Sequence, residues 1–207
     1  MYYMNNLPID HIFYINLDHR TDRDLEIQEE LENYDIQGYE RFSAILHDKI
    51  GGVGCGKSHV EVLKLAKERG YKRVMILEDD FMFQVPKEEF YGAMENLKQV
   101  EQFDMCLLSF HLINSTDCER YPFLRKVIEA QTTSGYIINE HYYDTLIYTF
   151  DEATKAFENT NFHWLYAIDI AWKHLQLKDN WYCFVPRLGK QRPSYSDCGN
   201  TFSHVTW

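Results

Sequence analysis

Residues 74–80 read Val-Met-Ile-Leu-Glu-Asp-Asp, so that four apolar residues are followed at once by three carboxylates. A short apolar run of this kind predicts a strand that is buried on both faces. In an open α/β sheet, ligands bind in the crevice beyond the carboxyl ends of the strands. The three acids therefore stand where a site is expected, and a cation or polar ligand there would relieve their mutual repulsion. The alternative is a solvated turn that happens to be acidic.

Apolar runs alternate with amphipathic segments on both sides of this stretch. Such alternation predicts βαβ units, a mainly parallel sheet and the α/β class. After residue 110 the pattern loosens, and the tail from Pro186 onward is polar and turn-rich. The predicted strands are 11–17, 39–45, 74–77, 105–109, 124–130, 134–138 and 181–185, and the predicted helices are 21–34, 57–69, 87–100, 141–157 and 167–175.

The composition is that of one folded domain with an acidic surface. A length of 207 residues and an apolar content of 45% are sufficient for a packed core. The 21 basic and 32 acidic side chains give a formal net charge of −11. A nucleic-acid partner is not expected, because nucleic-acid binding requires a basic surface.

The cysteines and the apolar segments bear on the compartment. Five cysteines without metal-finger spacing indicate reduced thiols and a cytoplasmic location. The alternative is a secreted protein with one disulfide, between Cys118 and Cys198. The first ten residues lack the basic and apolar parts of a signal peptide. No apolar stretch approaches the about 20 residues that a membrane span requires, so none is expected.

Residues 51–58, Gly-Gly-Val-Gly-Cys-Gly-Lys-Ser, match the phosphate-loop pattern G-x-x-x-x-G-K-S in full. With the acidic strand end as a Mg²⁺ partner, this match predicts an ATPase or a kinase. The context argues against that prediction, because the residues before the motif (47–50) are mostly polar and only one helix fits between Ser58 and Val74. The glycines are then expected to form a flexible loop that leads into a helix at residue 57.

Six blocks in order resemble the family 25 glycosyltransferases, which include lipopolysaccharide-biosynthesis and collagen-galactosyltransferase enzymes. The resemblance covers nearly the whole chain. Departures from the family pattern are Lys57 beside Ser58 and a short connection after Phe110. The blocks are 15–18 (Ile-Asn-Leu-Asp) with Arg20 and Arg23, then 54–59 (Gly-Cys and Ser-His), 74–80, 133–138, 167–169 and 186–197.

The resemblance implies a GT-A type, Rossmann-like nucleotide-sugar-binding domain over residues 1–207. Its nucleotide-binding part would span about 9–110, and the acceptor side and C-terminal lid about 111–207. The implied activity is that of an inverting hexosyltransferase that moves a sugar from a UDP-sugar to a glycan, lipid-linked or protein hydroxyl. Mn²⁺ or Mg²⁺ would offset the charge of the leaving diphosphate. A nucleotide-sugar-binding module without turnover is the alternative.

The resemblance also assigns roles to the acids and arginines. Asp80 is implied as the direct metal ligand, with His204 or Asp197 as a candidate second ligand. Glu78 would face the ribose. The other implied donor contacts are Asn16, Leu17, Arg20, Arg23, Ser58, His59, Asp79, Gln191 and Ser194.

Asp169 is the predicted catalytic base, since an inverting transfer requires one group to deprotonate the acceptor hydroxyl. It is a lone acid among apolar residues. Partial burial raises the pKa of a carboxyl and makes it a better base. The alternative role for Asp169 is the N-cap of the helix that is predicted there.

Overall fold

The computed structural model describes residues 7–196 and 201–203. The strands in this part are β1 (His11–Asn16), β2 (Glu40–Ser43), β3 (Arg73–Glu78), β4 (Phe81–Phe83), β5 (Met105–Asp117), β6 (Leu124–Asn139), β7 (Trp181–Phe184), β8 (Gly189–Gln191), β9 (Ser194–Ser196) and β10 (Thr201–Ser203). The helices are α1 (Thr21–Asn33), α2 (Gly51–Glu68), α3 (Lys87–Leu97), α4 (Tyr143–Thr160), α5 (His163–Tyr166), α6 (Ile168–Ala171) and α7 (Lys173–Gln176), and a 3₁₀ turn covers Glu140–Tyr142.

The central sheet has six strands in the order β2-β1-β3-β6-β5-β7. Strand β1 is parallel to β2 and β3, and β5 is parallel to β7. Strand β6 runs antiparallel to its neighbours β3 and β5. Five strands therefore point the same way, and the prediction of an α/β fold with a mostly parallel sheet is confirmed.

Strand β3 is buried on both faces, which explains its unbroken apolar sequence. All four residues from Val74 to Leu77 are fully buried. Val74 and Ile76 belong to the core that includes residues of α2 and α4, whereas Met75 and Leu77 belong to the core with residues of α1 and α3. Each fully buried side chain of this size contributes about 1.5–3 kcal/mol to folding, so both cores fix β3 at the centre of the sheet.

The carboxyl ends of β1 and β3 lie side by side. Ile15 pairs with Glu78, and the backbone N–H of Asp79 donates to the carbonyl of Ile15 at 3.1 Å. The three acids and the segment between β1 and α1 therefore lie next to each other, at the carboxyl ends of the central strands.

The helix predicted at 57–69 begins six residues earlier, at Gly51, so the expected glycine loop is wrong. Glycine is a poor helix former, but here close packing decides. A Cβ at Gly52 would lie 2.7 Å from Phe157, and one at Gly56 would lie 2.2 Å from Thr154. The glycines let α2 approach α4, and tertiary packing outweighs their low helix propensity.

Other boundaries also differ from the prediction. The two strands expected between residues 124 and 138 form one long strand, β6, which pairs with an extended β5. The helix expected at 167–175 is divided between α6 and α7. The tail was predicted to be irregular, yet β8 pairs with β4, and β9 pairs with β10. Among the described helices, none is long and apolar enough to cross a membrane.

The close packing of the glycines at the start of α2 can be tested by substitution. A Cβ at Gly54 would lie 2.4 Å from the carbonyl oxygen of Ile45, which is backbone and cannot rotate away. Gly54→Ala is therefore expected to lower the free energy of unfolding by about 1–3 kcal/mol, measured by urea denaturation. The matched control is Gly92→Ala in α3, where a Cβ meets nothing within 4 Å. This substitution should raise the free energy of unfolding by about 0.5–1 kcal/mol. Equal effects of the two changes would contradict the helical packing of residues 51–56.

Candidate active site

A cavity of about 660 Å³ opens at the carboxyl ends of β1 and β3. Its walls come from the ends of these strands, the start of α1 and the segment before it, the segment before α2, the first half of α2, β6, α6 and β8. The residues that line it include Leu17, Arg23, Cys55, Ser58, His59, Glu78, Asp79, Asp80, Thr132, Thr133, Asp169 and Gln191. The fold therefore brings most of the predicted site residues to one cavity.

Asp79 is held in a buried ion pair. Its carboxylate accepts hydrogen bonds from Arg23 Nη1 at 2.8 Å and from Asn16 Nδ2 at 2.9 Å. Asn16 is itself fixed, because its Oδ1 accepts from Arg41 Nε at 2.9 Å. Burial raises the pKa of Asp79, and Arg23 and Asn16 oppose that rise. Both oxygens of Asp79 are thus engaged by protein groups, and its arrangement suits the positioning of its neighbours.

Asp80 is the least satisfied acid of the three. Its Oδ1 is buried and has no hydrogen-bond partner among the described residues. Its Oδ2 lies 3.4 Å from Gln191 Nε2 and 3.8 Å from Arg23 Nη1. Burial, together with the charge of Glu78, raises the pKa of Asp80 to about 8, and Arg23 only partly offsets this. A buried polar atom without a partner costs about 1–3 kcal/mol, so a ligand for Oδ1 would stabilise the site.

This arrangement fits a hard divalent cation. Mn²⁺ and Mg²⁺ prefer carboxylate oxygens, and Oδ1 of Asp80 is such an oxygen on a residue that lines the cavity. The candidate second ligands, Asp197 and His204, lie outside the described residues.

Glu78 faces α2 and β6. Its Oε1 accepts from Thr133 Oγ1 at 2.6 Å and lies 3.3 Å from His59 Nε2, while His59 Nδ1 lies 2.9 Å from the hydroxyl of Tyr136. Burial alone would raise the pKa of Glu78, but the interactions with His59 and Thr133 hold it below its ordinary value. The ribose contact of Glu78 stays a prediction.

Asp169 lies near the start of α6 and lines the same cavity. Its Oδ2 accepts a hydrogen bond from the backbone N–H of Thr132 at 3.2 Å. Thr132 has a φ of +82°, in the left-handed region, and this turns the backbone of β6 at the cavity wall. Burial, reinforced by the charge of Glu78, raises the pKa of Asp169. Within the described part of the chain no side chain caps α6, so the N-cap alternative receives no support.

The two arginines of the first block contact the C-terminal segment. Arg23 Nη2 donates to Ser194 Oγ at 2.5 Å and to the carbonyl of Tyr195 at 2.9 Å. Arg20 Nη1 donates to the same carbonyl at 3.2 Å and its guanidinium pairs with Asp22. Gln191 lies on β8, next to β4. The two arginines hold residues 194 and 195 beside the N-terminal turn of α1. Any contact of either arginine with the donor stays a prediction.

The phosphate-loop match proves to be part of a helix. Ser58 is fully buried, and its hydroxyl donates to the carbonyl of Gly54 at 2.7 Å and accepts from the N–H of Ile45 at 2.8 Å. Lys57 pairs with Glu158 on the protein surface. A phosphate loop surrounds its ligand with backbone N–H groups, but within a helix most of these groups are already hydrogen-bonded to carbonyls. The geometry that a P-loop ATPase or kinase requires is therefore absent from residues 51–58.

Several residues of the site were missed by the sequence analysis. Thr133 carried a signal, since it begins the block 133–138. Thr132 and Arg41 carried none, because a positive φ and a side chain that reaches the next strand follow from tertiary structure.

Of the aromatic residues near Asp169, Trp172 is fully buried in the core, whereas Phe162 and Trp164 are exposed and stacked with ring centroids 4.9 Å apart.

Comparison with known proteins gives distant structural similarities alone. No protein-family model and no curated protein sequence matches the chain. Among solved structures, A197 from STIV has 14% identity and a TM-score of 0.48 over 87% of this chain and 84% of that one. A mannose-1-phosphate geranyltransferase from Thermus thermophilus has 7% identity and a TM-score of 0.47, over 84% and 72%. A glycosyltransferase involved in the glycosylation of the major capsid of PBCV-1 has 9% and 0.46, over 91% and 86%. These similarities assign no activity, and membership of family 25 stays a prediction.

Proposed function

We propose that this protein is a metal-dependent, inverting glycosyltransferase that moves a sugar from a UDP-sugar to an acceptor hydroxyl. The observation that carries the proposal is the buried Oδ1 of Asp80, which has no partner among the described residues and belongs to a cavity that Asp169 also lines. One acid is suited to a cation and the other to proton transfer, and the reaction needs both.

Asp80 would hold Mn²⁺ or Mg²⁺. When bound, such an ion offsets the negative charge that develops on a leaving diphosphate. The site needs this charge compensation, because Glu78, Asp79, Asp80 and Asp169 all line the cavity and Arg23 is already paired with Asp79. Without a cation, the negative charge of these carboxylates would repel an anionic donor.

Asp169 would accept the proton of the attacking hydroxyl. The pKa of Asp169 is raised above that of an exposed carboxylate. It is therefore closer to the pKa of the acceptor hydroxyl, which makes Asp169 the better base. The N–H of Thr132 fixes Oδ2 and thereby orients the carboxylate that would take the proton. Residues 191–195, in which Ser194 and Tyr195 accept hydrogen bonds from the two arginines of the first block, would cover the donor and exclude water.

The proposed function is tested by a nucleotide panel. Thermal shift is measured with UDP, UDP-galactose, UDP-glucose, UDP-N-acetylglucosamine and ATP, each with Mn²⁺ and with EDTA. We expect UDP and at least one UDP-sugar to stabilise the protein in Mn²⁺ alone, because ligand binding to the folded state raises its stability. Stabilisation by ATP, or equal stabilisation by UDP in EDTA, would contradict the proposal.

The catalytic role of Asp169 is tested separately with Asp169→Asn. Hydrolysis of the UDP-sugar found in the panel, with water in place of the acceptor, is expected to fall by about 10²–10⁴-fold. The dissociation constant for UDP and Mn²⁺ should stay unchanged. Asp117→Asn, an exposed acid on β5, is the control with the same charge change. Unchanged hydrolysis in Asp169→Asn would remove the base assignment, and binding without any hydrolysis in the wild type would favour the non-catalytic module.

A further inference from the structure

Three side chains with the chemistry of transition-metal ligands meet on one wall of the cavity. Cys55 and His59 are four residues apart on α2 and so lie on the same face of the helix. Glu78 ends the strand β3 that packs beside this helix. One candidate ligand atom from each of the three lies within 4.8 Å of the other two.

The ligand atoms of His59 and Glu78 are already close together. Nε2 of His59 lies 3.3 Å from Oε1 of Glu78, within hydrogen-bond distance. This distance equals the spacing of two ligands on a tetrahedral ion, because bonds of about 2.0–2.1 Å place such atoms about 3.3–3.4 Å apart. Sγ of Cys55 lies within 4.8 Å of a candidate ligand atom of each of the other two residues.

The surrounding groups orient these ligands as protein metal sites require. A ligating histidine gives its other ring N–H to a nearby acceptor, which fixes the ring and its tautomer. The hydroxyl of Tyr136 lies 2.9 Å from Nδ1 of His59 and can accept that proton. The hydroxyl of Thr133 holds the carboxylate of Glu78 in the same way.

We propose that Cys55, His59 and Glu78 form a binding site for a divalent transition metal of the zinc class. Sulfur, nitrogen and oxygen ligands in this combination suit Zn²⁺ or Co²⁺ rather than Mg²⁺. All three residues line the cavity, so a fourth ligand can come from a molecule bound there. The site uses none of the oxygens of Asp80 and does not depend on the proposed transferase activity.

The test uses the full chain, freed of metal by a chelator, and titration with Co²⁺. We expect one Co²⁺ to bind with a thiolate-to-cobalt charge-transfer band in the near ultraviolet. Cys55→Ser should abolish the band and weaken Zn²⁺ binding, measured by competition with a chromophoric chelator, by more than about 100-fold, since loss of an outer partner alone costs 10–100-fold. Cys118→Ser, a partly buried thiol outside the cluster, is the matched control and should keep the band.

The outcomes separate this site from the proposed function. Asp80→Asn should keep the cobalt band, while Cys55→Ser should keep the Mn²⁺-dependent response to UDP. A wild-type protein without the band, or a Cys55→Ser protein with it, would overturn the metal site and leave the transferase proposal untouched. If Cys55→Ser fails to fold, protection of Cys55 from iodoacetamide by Zn²⁺ in the wild type, mapped by mass spectrometry, decides the question, and an unprotected Cys55 rejects the site.

Discussion

Replacement of Asp80 by asparagine is expected to abolish the Mn²⁺-dependent binding of UDP and to reduce donor turnover by at least about 10³-fold, since metal coordination contributes several kcal/mol to transition-state stabilisation. The neutral amide has the size of the carboxylate but lacks its charge, so it is a weak ligand for a hard cation. Treatment of the wild type with EDTA should reproduce the loss, and fresh Mn²⁺ should reverse it in the wild type alone. Turnover is measured by release of UDP from the UDP-sugar.

The same change should make the metal-free protein more stable. The pKa of Asp80 is raised from 3.8 to about 8 in the folded state, so the folded protein holds a proton that the unfolded chain releases. The free energy of unfolding therefore falls as the pH rises from about 4 to about 8. Asp80→Asn removes this group's part of the decline and should gain roughly 1–2 kcal/mol at pH 8, a gain in the usual range for one stabilising substitution.

The stability measurement is urea denaturation in EDTA at pH 5 and pH 8. Wild type and Asp80→Asn should be closer in stability at pH 5 and should separate further at pH 8. Asp117→Asn, with its exposed carboxylate, should show no such separation. A variant that loses stability at pH 8 would mean that the charge of Asp80 is already compensated within the folded chain, and the case for a cation would fail.

The sheet could be predicted from the sequence because its central strand, β3, is buried on both faces. The apolar residues 74–77 serve two cores at once, and a short apolar run favours a strand because helices are usually longer. The start of α2 was not predictable, because the reason for helix at Gly51–Gly56 lies in Thr154 and Phe157, about a hundred residues further along the chain. Local propensity favoured a loop, and only the approach of α4 reverses it.

The candidate site likewise has a part that the sequence predicts and a part that depends on tertiary structure. That Asp80 and Asp169 line one cavity could be predicted, since an acid at a strand end or among apolar residues is visible in the sequence, while their roles stay predictions. The partners that distinguish the three strand-end acids were not visible. Arg23, His59 and Gln191 reach Asp79, Glu78 and Asp80 from separations of 56, 19 and 111 residues. These contacts exist only once the helices and the tail have docked on the sheet.

Arg23→Ala is expected to lower the free energy of unfolding by about 3–5 kcal/mol, the cost of removing one partner of a buried ion pair. The side chains of Arg23 and Asp79 are each only 9% exposed, so water cannot replace the lost guanidinium. Arg23 also donates to Ser194 and Tyr195, so its loss removes two of the contacts between the C-terminal segment and α1. The measurement is urea denaturation at pH 7, with limited proteolysis to report any increase in cleavage of that segment.

Two further variants separate the buried charge from the tail contact. Arg20→Ala removes a donor to the carbonyl of Tyr195 and an ion pair with the exposed Asp22, so it should cost less than about 1 kcal/mol. The double variant Arg23→Ala with Asp79→Asn should recover part of the loss, because the unpaired buried charge is gone while the tail contact is still missing. If the double variant is as unstable as Arg23→Ala, the stabilisation comes from fastening the tail. If Arg23→Ala itself costs no more than Arg20→Ala, the ion pair does not hold the strand-end acids in place.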